Sequence, residues 1–233
     1  MSARIVATTQ PASWLVERGV KTAEALIVYT ARVSSPHNQD NHNTGEKLLR
    51  YCLEHGHWSV FETASMTVEV GTSRAIAAQL LRHRSFTFQE FSQRYSDVQA
   101  LGRPTVPTAR MQDVKNRQSS LDCQDFELSD WWTAEAGRVM DDAQALYEIA
   151  LEKGIAKEVA RMVLPLATPT RLYMTGSVRS WIHYLKTRLD PATQIEHRLV
   201  AEQIANVFND EFPVVSEACD VWKKVVDLYD EEA

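Results

Sequence analysis

A half-buried strand that passes almost directly into a helix is the feature that most limits this chain. Met66-Thr67-Val68-Glu69-Val70 alternates apolar and polar side chains, the period of a strand with one face covered. Three residues on, Ser73 can cap a helix that carries Ile76, Leu80 and Leu81 through to Arg84. Residues 86–95 are aromatic and β-branched enough for extended chain. A sheet covered on one face needs a helical layer, and the rest of the sequence supplies one. Helical spacing is predicted over 22–32, over 178–188 and in an amphipathic stretch over 214–229. Asn43 with Glu46 resembles a capping box opening a helix through Leu49, Tyr51 and Leu53 that Gly56 would end. Ser129 can cap a long helix ending near Gly154, and a short helix from Lys157 to Leu164 would stop at Pro165. Residues 170–174 read as a strand, and Thr193-x-x-Glu196 as a capping box for a long helix toward Phe208.

This order is α+β. It lacks regular βαβ alternation, and no G-x-G-x-x-G or Walker A loop is present. Two polar, turn-rich stretches, 35–44 and 101–125, interrupt the pattern without separating two self-sufficient cores. The second reads as a mobile surface loop. We read residues 1–233 as a single domain.

Composition excludes several classes. No apolar run reaches the roughly 18 residues of a membrane span, and the N-terminus lacks a signal-peptide core, so a cytoplasmic protein is expected. Three cysteines, Cys52, Cys123 and Cys219, without C-x-x-C spacing argue against a disulfide framework or a zinc site; no metal is expected. The formal net charge of −6 disfavours nucleic acid and anionic membrane. Yet Arg74, Arg82, Arg84, Arg94 and His83 crowd a segment whose one carboxylate is Glu90, while Asp227, Asp230, Glu231 and Glu232 make the C-terminal end acidic. A local cationic cluster on an acidic protein suits a small anionic ligand.

Gln79, Arg82, His83 and Arg84 fall at the expected C-terminal end of a helix, where the dipole alone would favour cations by about 0.3–1 kcal/mol. Three consecutive side chains about 100° apart on a helix would point at different partners. Guanidinium forks suit phosphate oxygens, so two phosphorylated ligands side by side would use such a fan. Glu90, Ser92 and Arg94, alternating in extended chain, would share one face. A solvated strand face with an ion pair accounts for that spacing equally well.

The run Arg82-His83-Arg84, seven residues, then Ser92, continuing as Gln89-Glu90-Phe91-Ser92-Gln93-Arg94-Tyr95, resembles the motif of the flavin-dependent thymidylate synthases. Ala31-Arg32-Val33-Ser34, the segment His55-Gly56-His57-Trp58-Ser59-Val60-Phe61-Glu62, and Val159-Ala160-Arg161-Met162-Val163-Leu164-Pro165 are similar to further family segments in the same order. The likeness runs from about residue 31 to 200. Departures are Gln89 and His183, where asparagine occurs in relatives, Ser177 likewise, and Thr63, where histidine is common.

The resemblance implies a mainly antiparallel sheet with several long helices in a homotetramer of the thymidylate synthase-complementing type, with the active site between subunits. It implies conversion of dUMP to dTMP, with methylenetetrahydrofolate as carbon donor, NADPH as reductant of bound FAD, and tetrahydrofolate as product. By resemblance, Gln79, Arg82, Glu90, Ser92, Gln93, Arg94, Arg161 and Arg188 line the dUMP site, with Arg94 and Arg161 toward its phosphate and Arg188 at the uracil ring. Ser34, Ser59, Glu62, Arg82, His83, Arg84, Glu90, Arg179 and His183 line the FAD site. His57 sits near the flavin and the folate approach. Arg188, Ser92 and His57 form the catalytic group, Ser92 in substrate binding and polarisation rather than as nucleophile, since an unactivated serine is a poor one. Arg188 lies nine residues past Arg179 and about half a turn round from it, so a helix end or another subunit is needed to bring it to the same site. Two other readings compete: a flavin- or nucleotide-binding protein without synthase activity, and a nucleic-acid module stacking bases on Phe86, Phe88 and Phe91. The acidic net charge counts against the latter.

Overall fold

In a computed structural model the chain is described over residues 1–220. The strands are β1 (Ser2–Thr8), β2 (Ser65–Ser73), β3 (Thr87–Glu90), β4 (Arg110–Gln112), β5 (Ser120–Asp122) and β6 (Pro169–Ser177). The helices are α1 (Ser13–Val16), α2 (Ala23–Ala31), α3 (Gly45–Glu54), α4 (Arg74–Leu80), α5 (Phe126–Glu152), α6 (Lys157–Ala160), α7 (Val178–Arg188), α8 (Ile195–Glu211) and α9 (Pro213–Ala218). A four-stranded sheet runs in the order β1-β2-β6-β3, and β4 pairs antiparallel with β5, Met111 facing Leu121. The expected α+β class is what forms.

The chain divides into two compact units, each discontinuous in sequence. The first takes Met1–Val70, His83–Phe88 and the described part of Tyr173–Ala233; the second takes Gly71–Arg82 and Gln89–Leu172. In the first unit α8 packs on β1, α7 on α8, and α3 and α8 on α9. The alternation read from sequence is what β2 uses: Met66, Val68 and Val70 are buried and their neighbours are not. Trp181, Tyr184, Phe61 and Phe208 are fully buried in the same unit. Each such side chain stabilises the fold by roughly 1.5–3 kcal/mol. Gly176 of β6 lets the Phe86 ring lie flat against the strand; a Cβ there would stand 2.5 Å from that ring. In the second unit Val98, Tyr147 and Ala160 make a small core under α5, to which Leu151 and Leu164 add.

Local capping is where the chain departs from its spacing. Helix α3 begins at Gly45 after Thr44, with no side-chain cap, so the Asn43–Glu46 box does not form. Helix α5 starts at Asp125, whose carboxylate accepts from the Leu128 amide at 3.0 Å, and Ser129 is already inside the helix. Thr193 donates to the Thr187 carbonyl instead of capping α8. The stretch expected as one helix to Leu164 is α6 followed by a 3-10 turn, Arg161–Val163. Strand β1 and the β4–β5 hairpin, the latter inside the expected loop 101–125, carry no clear alternation that would mark them in sequence. Ser73, Gly56 and the 178–188 helix do what their sequence says. Of the expected helix over 214–229, α9 covers the start and ends at Ala218, where Cys219 caps it and Asp220 turns with φ 54°; residues from 221 on, with the acidic end, lie outside the described residues.

Candidate active site

Helix α4 stops at Leu80, so Arg82, His83 and Arg84 occupy the turn that follows, not the last turn of a helix. Strand β3 stops at Glu90. Ser92 then turns the chain, its carbonyl accepting the amides of Tyr95 at 3.1 Å and Ser96 at 2.9 Å. Glu90, Ser92 and Arg94 therefore do not share one strand face. Two amides closing on one carbonyl fix a turn that a short extended segment cannot resist.

The second unit holds Gln79, Arg82, Glu90, Ser92, Gln93, Arg94 and Arg161, seven of the eight residues expected at a nucleotide. Glu90 is held by Arg74, which the sequence showed only as one of the clustered cations, and by Thr170, which it did not mark as a site residue. Arg74 pairs with its Oε1, and the Thr170 hydroxyl donates to the same oxygen at 2.9 Å. A cation as the first residue of a helix opposes the dipole, and that misplacement was the available signal for Arg74. Ser92, Arg94, Tyr95, Ala156, Lys157 and Glu158 line a depression of about 360 Å³. There Arg94 makes a 3.1 Å ion pair with Glu158, both exposed, and Lys157 Nζ donates to the Tyr95 carbonyl. Gln93 is buried, and its side-chain Nε2 has no acceptor; the buried Nε of Arg161 has none either. A buried donor without a partner costs about 1–3 kcal/mol, and a ligand oxygen is one group that would supply the missing acceptor.

The first unit holds Ser34, Ser59, Glu62, His83, Arg84, Arg179 and His183 of the expected flavin group, together with Arg188 and His57. Trp58, Glu62, Ser85, Arg179, Ser180, Ile182, His183 and Lys186 line a cleft of about 550 Å³. Arg179 donates to Glu62 at 3.0 Å, and Lys186 Nζ stands 6.0 Å from the Trp58 ring centre. The cleft thus offers two cations, an indole and a carboxylate. Ser34 and Arg84 are exposed and do not line it, and Ser59 is exposed on the 3-10 turn Trp58–Glu62. His57 caps that turn, its ring 5.7 Å from Tyr51. Nothing local in the sequence marks Ser85, Ser180 or Lys186, and Trp58 stands there only as part of the segment from His55 to Glu62.

Arg188 closes α7. Its Nε donates to His83 Nε2 at 3.0 Å across 105 residues of sequence. From the helix end Arg188 meets the His83 turn within one chain. Burial first, then the Arg188 and His183 charges, push the His83 pKa down to about 4. Among the described residues no group of three or more histidine, cysteine or acidic side chains is placed to hold a metal. No described helix is long and apolar enough to cross a membrane.

The sequence matches the family model described as thymidylate synthase complementing protein over residues 15–214. It is 52% identical to a probable flavin-dependent thymidylate synthase of Paramecium bursaria Chlorella virus 1, covering 94% of this chain and 99% of that one. It is 51% identical to a flavin-dependent thymidylate synthase of Synechocystis sp., with the same coverage of each. Among solved structures, a UMP/dUMP methylase from Streptomyces cacaoi bound with 5-Br dUMP aligns with a TM-score of 0.78 at 28% identity, covering 93% of both chains. With the motif residues now placed on their elements, these likenesses assign the chain to the family of flavin-dependent thymidylate synthases.

Proposed function

We propose that this chain, as one synthase domain over residues 1–233, makes dTMP from dUMP. Methylenetetrahydrofolate supplies the carbon, NADPH the electrons, and tetrahydrofolate leaves. The observation that carries the reading is the pair of buried, acceptorless donors on Gln93 and Arg161. Both belong to the group expected at the nucleotide, and an anion rich in oxygen is what they lack. Arg94 would exchange its exposed Glu158 partner for phosphate, with which a guanidinium makes two parallel bonds. Arg188, fixed by His83, would present its remaining N–H groups to a uracil carbonyl and stabilise charge developing there. Ser92 would bind and polarise the ring.

The cleft fits FAD: its indole suits a planar ring system, and Arg179 and Lys186 suit phosphate oxygens. Glu62, Arg179 and His183 would hold it, with Ser34, Ser59, Arg82, His83, Arg84 and Glu90 completing the contact. When bound, the flavin supplies the hydride chemistry that no side chain can. His57 would guard the approach of folate. Arg74 and Thr170 would keep Glu90 aimed.

Helix α5 exposes Phe126, Trp131, Trp132, Val139, Leu146 and Ile149 and buries only Gln144 and Tyr147. Apolar exposure on that scale marks a surface that another chain covers, which supports a homotetramer. Two buried free thiols, Cys52 and Cys219, suit a reducing cytoplasm.

Purified protein should be yellow, and NADPH should bleach it anaerobically. It should release tritium from C5-labelled dUMP only with folate present. Arg94→Ala should abolish that release and leave flavin bound. A colourless protein, or an Arg94→Ala variant that loses flavin, overturns the assignment.

A further inference from the structure

The His83–Arg188 pair is walled by a residue that no motif marks. His197 of α8 is fully buried. Its ring meets the His83 ring edge-on, 6.4 Å away at 89°, and the Tyr184 ring at 5.9 Å. Tyr184, also fully buried, stands 5.0 Å from His83 at 73°, and Phe86 closes another side at 6.4 Å. The titratable and charged groups around His83 are thus Arg188, His183 and Tyr184 of α7 and His197 of α8. None of these is a carboxylate.

The direction of the central bond fixes its chemistry. Arg188 Nε is always a donor, so His83 Nε2 must be a bare lone pair and the ring proton must sit on Nδ1. Protonation of His83 would turn an acceptor into a donor facing a guanidinium, and the bond would break. Water reaching the ring is what would stabilise that protonated form.

Resting on the function proposed above, we propose that His197 is a positioning residue for Arg188, acting through His83. With Tyr184 it covers the inner side of the half-buried His83 ring, keeps Nε2 an acceptor, and so holds the Arg188 guanidinium aimed at the substrate ring. An apolar side chain of similar volume would seal as well; a small one would not. The low pKa of His83, about 4, and that of His197, held to about 3 by burial and then by Arg188 and His83, accord with a neutral pair.

The test compares His197→Ala with His197→Phe in the full-length protein. In His197→Ala, water enters beside His83. The acid limb of kcat/KM for dUMP should rise by about two pH units, toward the free histidine value, with a loss of about threefold at pH 8 and about tenfold at pH 6. His197→Phe should restore the wild-type profile. Independently of turnover, ¹⁵N-histidine spectra of the protein alone should show His83 Nε2 as a bare acceptor at pH 6 in wild type and His197→Phe, and protonated in His197→Ala. A His197→Ala profile that superimposes on wild type from pH 8 to 5.5, or a His83 that already titrates near 6.5 in wild type, overturns the proposal. The spectra decide it even if wild type proves inactive on dUMP, which would instead sink the functional reading.

Discussion

Arg188 and Arg94 are both expected at the nucleotide, yet the two units treat them in opposite ways. In the first unit Arg188 is half-buried and tied by Nε to a neutral histidine that buried rings surround. In the second, Arg94 stands exposed in a turn and leans on an exposed Glu158. The first arrangement costs desolvation and is set before any ligand arrives. The second is a surface ion pair of the kind worth about 0–1 kcal/mol, easily traded for a phosphate. On the function proposed above, one guanidinium would serve aim and the other capture.

The strongest way to break this contrast is Arg188→Lys. It keeps the charge but has no planar fork to divide between His83 and a substrate. We expect kcat to fall by about 10²–10³, the loss typical when an oriented stabilising donor is removed, with KM for dUMP little changed. If the effect is instead on KM alone, Arg188 serves capture and the distinction collapses.

An acid titration of stability sharpens it next. His83 and His197 have folded pKa values depressed to about 4 and about 3, so the unfolded chain takes up protons below about pH 6.5 that the folded chain refuses. Stability should be level above that pH and fall as the pH drops toward 4. Fully buried His197 sets the slope, at about 1.4 kcal/mol per pH unit, and half-buried His83 adds a smaller share. Urea midpoints at pH 7.5 and 5.5 measure it, and His197→Phe should flatten the fall. The exposed pair in the second unit should add nothing comparable.

The smallest expected effect lies at that exposed pair. Glu158→Gln removes the competitor for Arg94, and KM for dUMP should drop by no more than about twofold. A tenfold change would mean that Glu158 guards the site, and that the second unit is as organised before binding as the first.

Much of this was legible in the chain. The alternation of 66–70 marks a strand because one face is covered, and Ser73 marks a helix start because its hydroxyl meets the Ile76 amide. Legibility failed where a local rule had a rival. Asp125 outcompetes Ser129 for the start of α5. The turn at Ser92 overrides an extended reading of Glu90 and Arg94. Strand β1 gains its place from α8 packed on it, not from its own pattern.

The sequence by itself determined which side chains are present to do chemistry: the arginine-histidine-arginine run, the serine eight residues past it, and the segments that carry the family likeness. Motifs of that kind are contiguous, so one-dimensional spacing preserves them. Only the tertiary structure decided that Arg188 would meet His83, that Arg74 and Thr170 would hold Glu90, and that His197 would lie against the pair. Those contacts join residues 16 to 114 positions apart, as with Arg74 and Glu90 or His83 and His197. The folding of the backbone brings them together, and no local spacing encodes that closure.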